Sequence, residues 1–161
     1  MPYNVFISHS MNQDDLGLVY ETARRAEANG ISCYIAERDW QFGASLPAKI
    51  EQAIRGSDHF VAFWTKGGAH SQFVNQEIGF ARAIGKPRIL VVEKGEPVKG
   101  FDIDKEHVEF ERANPLQAIA DLNAFLVGKK EAKEKVEEQK KAWSVVFGIV
   151  ALLFLFGSGE H

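Results

Sequence analysis

The sequence predicts an α/β fold in which a parallel sheet is covered by helices on both faces. Short, continuously apolar segments alternate along the chain with segments whose apolar residues recur at helical spacing. Continuous apolar runs are typical of parallel strands, because both faces of such strands are buried. The alternation makes each helix a crossover connection between two parallel strands. With 161 residues, of which 45% are hydrophobic and 25% charged, the chain suits one domain with an appendage.

The first half of the chain contains two predicted strands, each followed by a helix. Apolar runs at residues 5–7 and 31–36 predict the strands. Asp14 and Asp15 favour the N-terminus of the first helix, because acidic side chains complement the helix dipole there. The apolar stripe expected on this helix consists of Leu16, Val19, Tyr20, Ala23 and Ala26. The remaining signals for helix ends are Asn29-Gly30 after the first helix, Ser45 before the second and Gly56 after it.

The second half of the chain predicts three more strands and two more helices. A helix is expected over residues 71–84 and ends at Gly85, and Asn114-Pro115 is a typical start for the last helix of the domain. Polar residues and glycines make a helix doubtful over residues 93–106. The strands are expected at residues 59–65, 88–92 and 108–110.

Glu77 lies near the centre of the apolar face of the helix predicted over residues 71–84. At about 100° per residue, Phe73 falls on one side of it and Ile78 on the other. The helical neighbours of Glu77 three and four positions away include no Lys or Arg, so a local ion pair does not explain it. A desolvated carboxylate costs free energy and often marks a functional site. The alternative is a Glu at the edge of the helix face whose carboxylate reaches water.

Several polar residues are expected at the carboxyl edge of the sheet, where ligands of such folds bind. Ser8, His9 and Ser10 lie at the end of the first strand, residues 37–43 at the end of the second, and Trp64-Thr65 at the end of the third. The helix that carries Glu77 begins at the same edge, so its carboxylate is expected to face the crevice there. The alternative for the first group is a helix cap with a solvated histidine, and Trp64 is expected in the core.

Composition argues against two classes of function. A net charge of −3 gives no reason to expect nucleic acid as the main partner. The five histidines lack the spacing of metal ligands, so no metal site is predicted. The single cysteine, Cys33, lies within an apolar run, which predicts a buried thiol and fits a reducing compartment.

The chain divides by composition into a domain over residues 1–128, a charged helical linker over 129–141 and an uncharged segment over 142–157. We expect the uncharged segment to be a transmembrane helix, with Trp143 at the interface. Lys140-Lys141 precede it, which by the positive-inside rule leaves the domain on the cytoplasmic side as a single-pass membrane protein. Its length of roughly 24 Å is short of a hydrocarbon core of about 30 Å, so a thin membrane or an extension would be needed. The alternative is a helix buried in an oligomer.

In their order and spacing, these segments resemble a prokaryotic TIR (Toll/interleukin-1 receptor) domain over residues 3–127. The resemblance implies the flavodoxin-like fold, a sheet of about five parallel strands in the order 2-1-3-4-5 with helices on both faces. Three parts of the chain carry it: residues 3–10, which resemble the opening box of the family; residues 38–43 with the helix after them, which resemble its BB loop and following helix; and Ser71, Val74, Glu77 and Ala81, which match the helix with the catalytic glutamate.

The resemblance implies an enzyme that cleaves NAD, releasing nicotinamide and leaving ADP-ribose or a cyclised isomer. Glu77 would be the catalytic carboxylate, NAD would be the substrate, and no cofactor would be required. Phe73 takes the place of a tryptophan that the family often has four residues before the glutamate. Phe73 could stack on a ring of the substrate, although core packing is the commoner role of such a Phe. The other residues that the resemblance points to are Ser8, His9, Ser10, Asp39, Phe42 and Gly43 for substrate binding, and Trp40 and Phe42 for contact with a neighbouring protomer.

The leading functional hypothesis is therefore a TIR enzyme that consumes NAD in immune or antiviral defence and is activated by assembly with other TIR protomers. The alternative is a TIR adaptor without enzymatic activity, which recruits other TIR domains through its loop and surfaces. A phosphoacceptor receiver on the same fold is disfavoured, because the end of the first strand supplies no cluster of acids.

Overall fold

A computed structural model describes residues 2–36, 46–98 and 107–156. These residues form two compact units. The first is Pro2–Val127, and the second consists of the described residues from Gly128 onward. The sheet and the candidate site lie in the first unit.

Five parallel strands form one sheet in the described residues, with the spatial order β2-β1-β3-β4-β5. This order confirms both the predicted fold class and the strand order that the resemblance implied. The strands are β1 (Tyr3–Ser8), β2 (Ile31–Ile35), β3 (His59–Trp64), β4 (Arg88–Glu93) and β5 (His107–Phe110).

Four helices connect or follow the strands of the described residues. Glycines at positive φ end two of them, Gly30 at 71° and Gly85 at 67°, as the sequence predicts. The helices are α1 (Gln13–Ala28), α2 (Leu46–Gly56), α3 (Gln72–Ala83) and α4 (Leu116–Phe156). Helix α4 is one continuous helix of 41 residues, whereas the sequence analysis divided it into three segments.

Two apolar layers cover the two faces of the sheet. Side chains alternate along each strand, so Ile7 and its neighbours face α1 and the first turns of α4, while Phe6 and its neighbours face α2 and α3. The first layer includes Val19 and Leu122, and the second includes Ile78. Neighbouring residues at the end of a strand therefore point to different helices, and this alternation determines the geometry of the site.

Two details of the core differ from the sequence prediction. The inward face of α1 carries Asp15 and Thr22, both fully buried, whereas Tyr20 is exposed. Cys33 is half-buried rather than buried, and desolvation raises the pKa of its thiol to about 12. Val19, Ala23 and Ala26 are buried as predicted, whereas Asp15 and Thr22 were not expected on the inward face because they are polar.

The last part of α4 exposes large apolar side chains. Trp143, Phe147 and Leu152 are each more than half exposed. Within the described part of the chain, no helix is both long and apolar enough to cross a bilayer. The transmembrane helix predicted over residues 142–157 is therefore not confirmed, and the cytoplasmic placement of the domain stays a prediction.

Candidate active site

The carboxylate of Glu77 is buried on the inner face of α3. The helix starts at its cap Ser71, whose hydroxyl accepts a hydrogen bond from the backbone N–H of Val74 at 3.4 Å. From that start, Val74, Glu77 and Ile78 turn toward the sheet, and Glu77 is only 5% exposed. The predicted position in the apolar face is confirmed, and the alternative in which the carboxylate reaches water is wrong.

Ser8, the last residue of β1, contacts Glu77 directly. Because side chains alternate along the strand, Ser8 shares a face with Phe6, which packs in the same layer as Val74 and Ile78 of α3. The hydroxyl of the fully buried Ser8 donates a hydrogen bond to Oε2 of Glu77. A buried carboxylate requires such donors, because it has lost its water. The bond holds the carboxylate at the carboxyl end of β1.

His9 lies between the two serines and is 2% exposed. Its Nδ1 atom is 2.6 Å from the backbone carbonyl oxygen of Ser10. A carbonyl oxygen can only accept, so Nδ1 carries the hydrogen of this bond. The alternative of a solvated histidine is therefore wrong.

Ser10 is buried and points to a different carboxylate. Its hydroxyl donates to Oδ2 of Asp15 over 2.5 Å. It is not the cap of α1, since that role belongs to Asn12, whose side-chain oxygen accepts from the N–H of Asp14 at 3.2 Å. Ser8, His9 and Ser10 thus form one buried segment at the carboxyl edge of the sheet, as the sequence predicts.

A partly buried cluster of charges and hydroxyls lies beside this segment, and the sequence did not predict its ion pairs. Asp15 accepts from Ser10 and from Thr65, whose Oγ1 is 2.6 Å from Oδ2, and it pairs with Arg112, whose Nη2 is 2.9 Å from Oδ1. Arg112 also binds Glu93 through Nε at 2.6 Å and Nη2 at 2.7 Å. These bonds lower the pKa of Glu93 and raise that of Arg112. One feature of the sequence indicates that Asp15 is buried: it lies four residues before Val19 and therefore on the same inward face of α1.

Phe73 lies one turn before Glu77 on α3 and is 48% exposed. Core packing, the commoner role for a Phe at this position, is therefore not its role here. Trp64 is buried, as expected, and its Nε1 donates to the carbonyl oxygen of Pro97 over 3.4 Å.

The remaining site predictions lie outside the described residues. They are Asp39, Trp40, Phe42 and Gly43, and their roles stay predictions. Within residues 2–36, 46–98 and 107–156, no group of three or more His, Cys, Asp or Glu side chains could hold a metal ion.

The site lies where the strand order reverses. The chain runs from β1 outward to β2 and then returns to β3 on the other side of β1. In open α/β sheets this reversal opens a crevice at the carboxyl ends of the strands, where ligands bind. Ser8 and Trp64 end the two strands that flank it. A buried carboxylate held at this edge can bind sugar hydroxyls and stabilise a developing positive charge.

Comparisons with known proteins agree with this architecture. The family model described as "TIR domain" matches residues 5–123. No curated protein sequence matches the chain.

Three of the solved structures that share the fold illustrate the likeness. A prokaryotic SEFIR domain has 14% identity and a TM-score of 0.58, over 78% of this chain and 92% of that chain. A CMP N-glycosidase of Clostridium botulinum has 20% identity and a TM-score of 0.57, over 76% of this chain and 98% of that chain. A 2-deoxyribosyltransferase of Bacillus psychrosaccharolyticus has 18% identity and a TM-score of 0.55, over 67% and 85%. At these identities the likenesses show the fold alone. Because the family model matches most of the chain, the protein belongs to the TIR domain family.

Proposed function

We propose that this TIR domain cleaves the bond between nicotinamide and ribose in NAD, with Glu77 as the catalytic carboxylate. The observation that carries the proposal is the buried Glu77 carboxylate, which accepts a hydrogen bond from Ser8 at the carboxyl end of β1. In a stable core this position of α3 would be apolar. A carboxylate there, at the edge of the sheet where ligands bind, supports a role in chemistry.

The reaction needs charge stabilisation more than acid catalysis. When the bond between the ribose C1′ and nicotinamide breaks, the electron pair goes to the ring nitrogen, and neutral nicotinamide leaves without taking a proton. Positive charge then develops on the ribose. A fixed anion facing that charge in a water-poor site binds the transition state more strongly than the substrate. Water then adds to C1′ and loses a proton, giving ADP-ribose; a nucleophilic group of the same molecule would give a cyclised isomer instead.

Ser8 and His9 would orient the reacting groups. The hydroxyl of Ser8 fixes the carboxylate of Glu77 at the carboxyl end of β1, and a carboxylate held there would bind the ribose hydroxyls of NAD. The His9 ring carries its hydrogen on Nδ1, so in the neutral ring Nε2 is an acceptor. Ser8, His9 and Ser10 together would line the nucleotide pocket.

The fold can house this class of chemistry. One of the solved structures that share it is named for N-glycosidase action on CMP. At 20% identity that likeness gives the fold alone, so the proposal depends on Glu77 and its surroundings.

Assembly with other TIR protomers would complete the site. In the enzymes that the chain resembles, the loop that matches residues 38–43 contacts the adjacent subunit. Trp40 and Phe42 would form that contact, while Asp39, Phe42 and Gly43 would bind NAD. Activity per molecule is then expected to rise with protein concentration, as in a defence signal that is activated by self-assembly.

A second candidate function is a TIR adaptor that only recruits other TIR domains. The observation that favours it is the exposure of Phe73, since a half-exposed aromatic side chain suits a protein contact. The adaptor would bind partners but would leave NAD intact.

The test is to incubate concentrated protein with NAD and to follow nicotinamide by chromatography. The matched variants are Glu77→Gln and Glu51→Gln, the latter changing an exposed glutamate of α2 in the same way. We expect release by the wild type and by Glu51→Gln, and loss of release in Glu77→Gln. Equal release by all three proteins would exclude Glu77 as the catalyst, and no release at any concentration would favour the adaptor.

A further inference from the structure

We propose that Asp15 is the positioning residue of the site and that it acts through Ser10 to hold Ser8 and His9 against Glu77. This inference rests on the proposed function, because it names a residue outside the NAD pocket on which the same chemistry depends. Asp15 would not contact the substrate. Its effect would reach Glu77 along the chain from Ser10 to Ser8.

The partners of Asp15 hold its carboxylate in a single arrangement. It is fully buried, and its Oδ2 accepts from both Ser10 at 2.5 Å and Thr65 at 2.6 Å. Oδ1 accepts from Arg112 at 2.9 Å. Two hydroxyl donors and one guanidinium donor satisfy a buried anion without water, and charged hydrogen bonds of this kind are the strong ones.

Arg112 ties Asp15 to other segments of the unit. Its planar guanidinium reaches both oxygens of Glu93 at the end of β4, Asp15 in the first turn of α1 and, through Nη1 at 3.0 Å, the backbone carbonyl oxygen of Asp14. Glu93 in turn accepts the backbone N–H of Lys66, after β3, at 2.9 Å. The carboxyl ends of β3 and β4, the segment after β5 and the start of α1 therefore meet in one ion cluster.

The segment from Ser8 to Ser10 joins this cluster to the proposed catalytic residue. Its two serine hydroxyls donate to two carboxylates on different helices, Glu77 on α3 and Asp15 on α1. Only His9 separates them, and its ring is bonded back to the Ser10 carbonyl oxygen. The Cα atoms of residues two positions apart can be at most about 7 Å from each other. Because the chain between Ser8 and Ser10 is this short, a shift of Ser10 also displaces Ser8. A misplacement of about 1 Å in a catalytic group can cost on the order of 100-fold in rate.

Ser10→Ala separates positioning from general stability. It removes the hydrogen bond from Ser10 to Asp15 and the acceptor of the Asn12 backbone N–H at 3.2 Å, but it leaves Asp15 bonded to Thr65 and Arg112. The matched control is Ser57→Ala, which removes another buried serine hydroxyl, one that lies directly after α2 and donates to the Ile54 carbonyl oxygen over 2.8 Å. Both substitutions delete one buried hydroxyl, but the Ser10 hydroxyl also accepts a backbone N–H and donates to a carboxylate, so the melting temperature of each variant is measured beside its kcat.

The experiment measures kcat and KM for nicotinamide release in Ser10→Ala, Asp15→Asn, the double variant and Ser57→Ala. Positioning predicts that kcat falls roughly 10-fold or more in both single variants, with KM changed less than about threefold. The double variant should lose little beyond either single one, because both substitutions break the same connection. Ser57→Ala should keep the wild-type kcat.

Amide hydrogen exchange of the peptide around residues 6–16 provides a readout that does not need activity. We expect faster exchange there in Ser10→Ala and Asp15→Asn, and wild-type exchange in Ser57→Ala. Wild-type exchange in Ser10→Ala would overturn the inference, even if the protein proves inactive on NAD. In an active protein, a wild-type kcat in Ser10→Ala would overturn the inference alone, whereas a wild type without nicotinamide release would overturn the proposed function.

Discussion

The hydroxyl of Ser8 donates a hydrogen bond to Oε2 of Glu77 and joins the end of β1 to the middle of α3 across 69 positions of the sequence. The strand alternation that turns Phe6 toward α3 also turns Ser8 there, and the helical phase that buries Val74 and Ile78 buries Glu77. The contact is therefore a consequence of two periodicities, 2.0 residues in the strand and 3.6 in the helix.

Ser8→Ala should lower nicotinamide release while the protein stays folded. The substitution leaves a buried carboxylate oxygen without this donor, which costs about 1–3 kcal/mol. If that cost falls on the transition state, kcat drops by roughly 5-fold to 150-fold. Ser8→Thr keeps a hydroxyl and should recover part of the loss. Unchanged kcat in Ser8→Ala, with the fold intact by circular dichroism, would show that Ser8 does not orient Glu77.

Much of the fold could be predicted, because its signals are local. Continuous apolar runs mark the strands, and the glycines at positions 30 and 85 end helices at positive φ. Glu77 could also be found, since a carboxylate inside an apolar helix face breaks a periodic pattern. The resemblance then supplied the strand order, which no local signal contains.

The ion cluster could not be predicted, because its members are far apart in the sequence. Arg112 lies 97 positions from Asp15 and 19 from Glu93. Each has an ordinary local explanation: an acid in the first turn of a helix complements the helix dipole, and an arginine after a strand suits the surface. Only the sheet, which places β4 between β3 and β5, brings them together.

Phe73→Ala should weaken the binding of NAD with little effect on stability. The side chain is 48% exposed one turn before Glu77, and exposed substitutions usually change the free energy of unfolding by less than about 0.5 kcal/mol. If its ring stacks on the substrate, KM rises in Phe73→Ala and falls in Phe73→Trp, which offers a larger ring. Tyr20→Ala, an equally exposed aromatic residue on α1, is the control. KM values that are equal in all four proteins would contradict the stacking role.

Gly67→Ala should disturb the segment from Ser8 to Ser10 by steric contact. A Cβ atom at Gly67 would lie 2.7 Å from the hydroxyl of Ser10 and 3.1 Å from Oδ2 of Asp15. Because the Ser10 hydroxyl is held by Asp15, it has little freedom to move aside. We expect a lower kcat and a lower melting temperature. Gly79→Ala is the control on α3, where a Cβ atom meets nothing within 4 Å; it should raise stability by about 0.5–1 kcal/mol. A wild-type kcat in Gly67→Ala would show that the segment tolerates displacement.

Acid should weaken the native state partly through Glu93. Its hydrogen bond from Arg112 lowers its pKa below the ordinary value of 4.5, so the folded protein binds fewer protons than the unfolded chain in that range. The stabilisation is therefore present above about pH 4.5 and is lost as the pH falls through the lowered pKa. Urea unfolding from pH 7 to pH 3 should show that Glu93→Gln is destabilising at pH 7 and much less so at pH 3.

The control for this prediction is Glu111→Gln. Glu111 also has a lowered pKa, from Lys94 at 2.5 Å, but both side chains of this pair are about 60% exposed. Water screens such a pair, so its loss should change the unfolding free energy little at any pH. A Glu93→Gln effect that is the same at pH 7 and pH 3 would show that the cluster is not linked to protonation.

The exposed apolar side chains at the end of α4 should be buried against a second copy of the protein or against lipid. Trp143 is 63% exposed, Phe147 67% and Leu152 54%, and each large apolar side chain left in water forfeits about 1.5–3 kcal/mol of burial energy. We expect the full-length protein to self-associate or to need detergent, and a form ending at Lys130 to be monomeric, since the unit Pro2–Val127 has its own core. Analytical ultracentrifugation measures the first effect, and flotation with lipid vesicles distinguishes a lipid cover from a second copy. Full-length protein that stays monomeric without detergent would contradict the prediction, because an exposed apolar helix of this kind would then be stable in water alone.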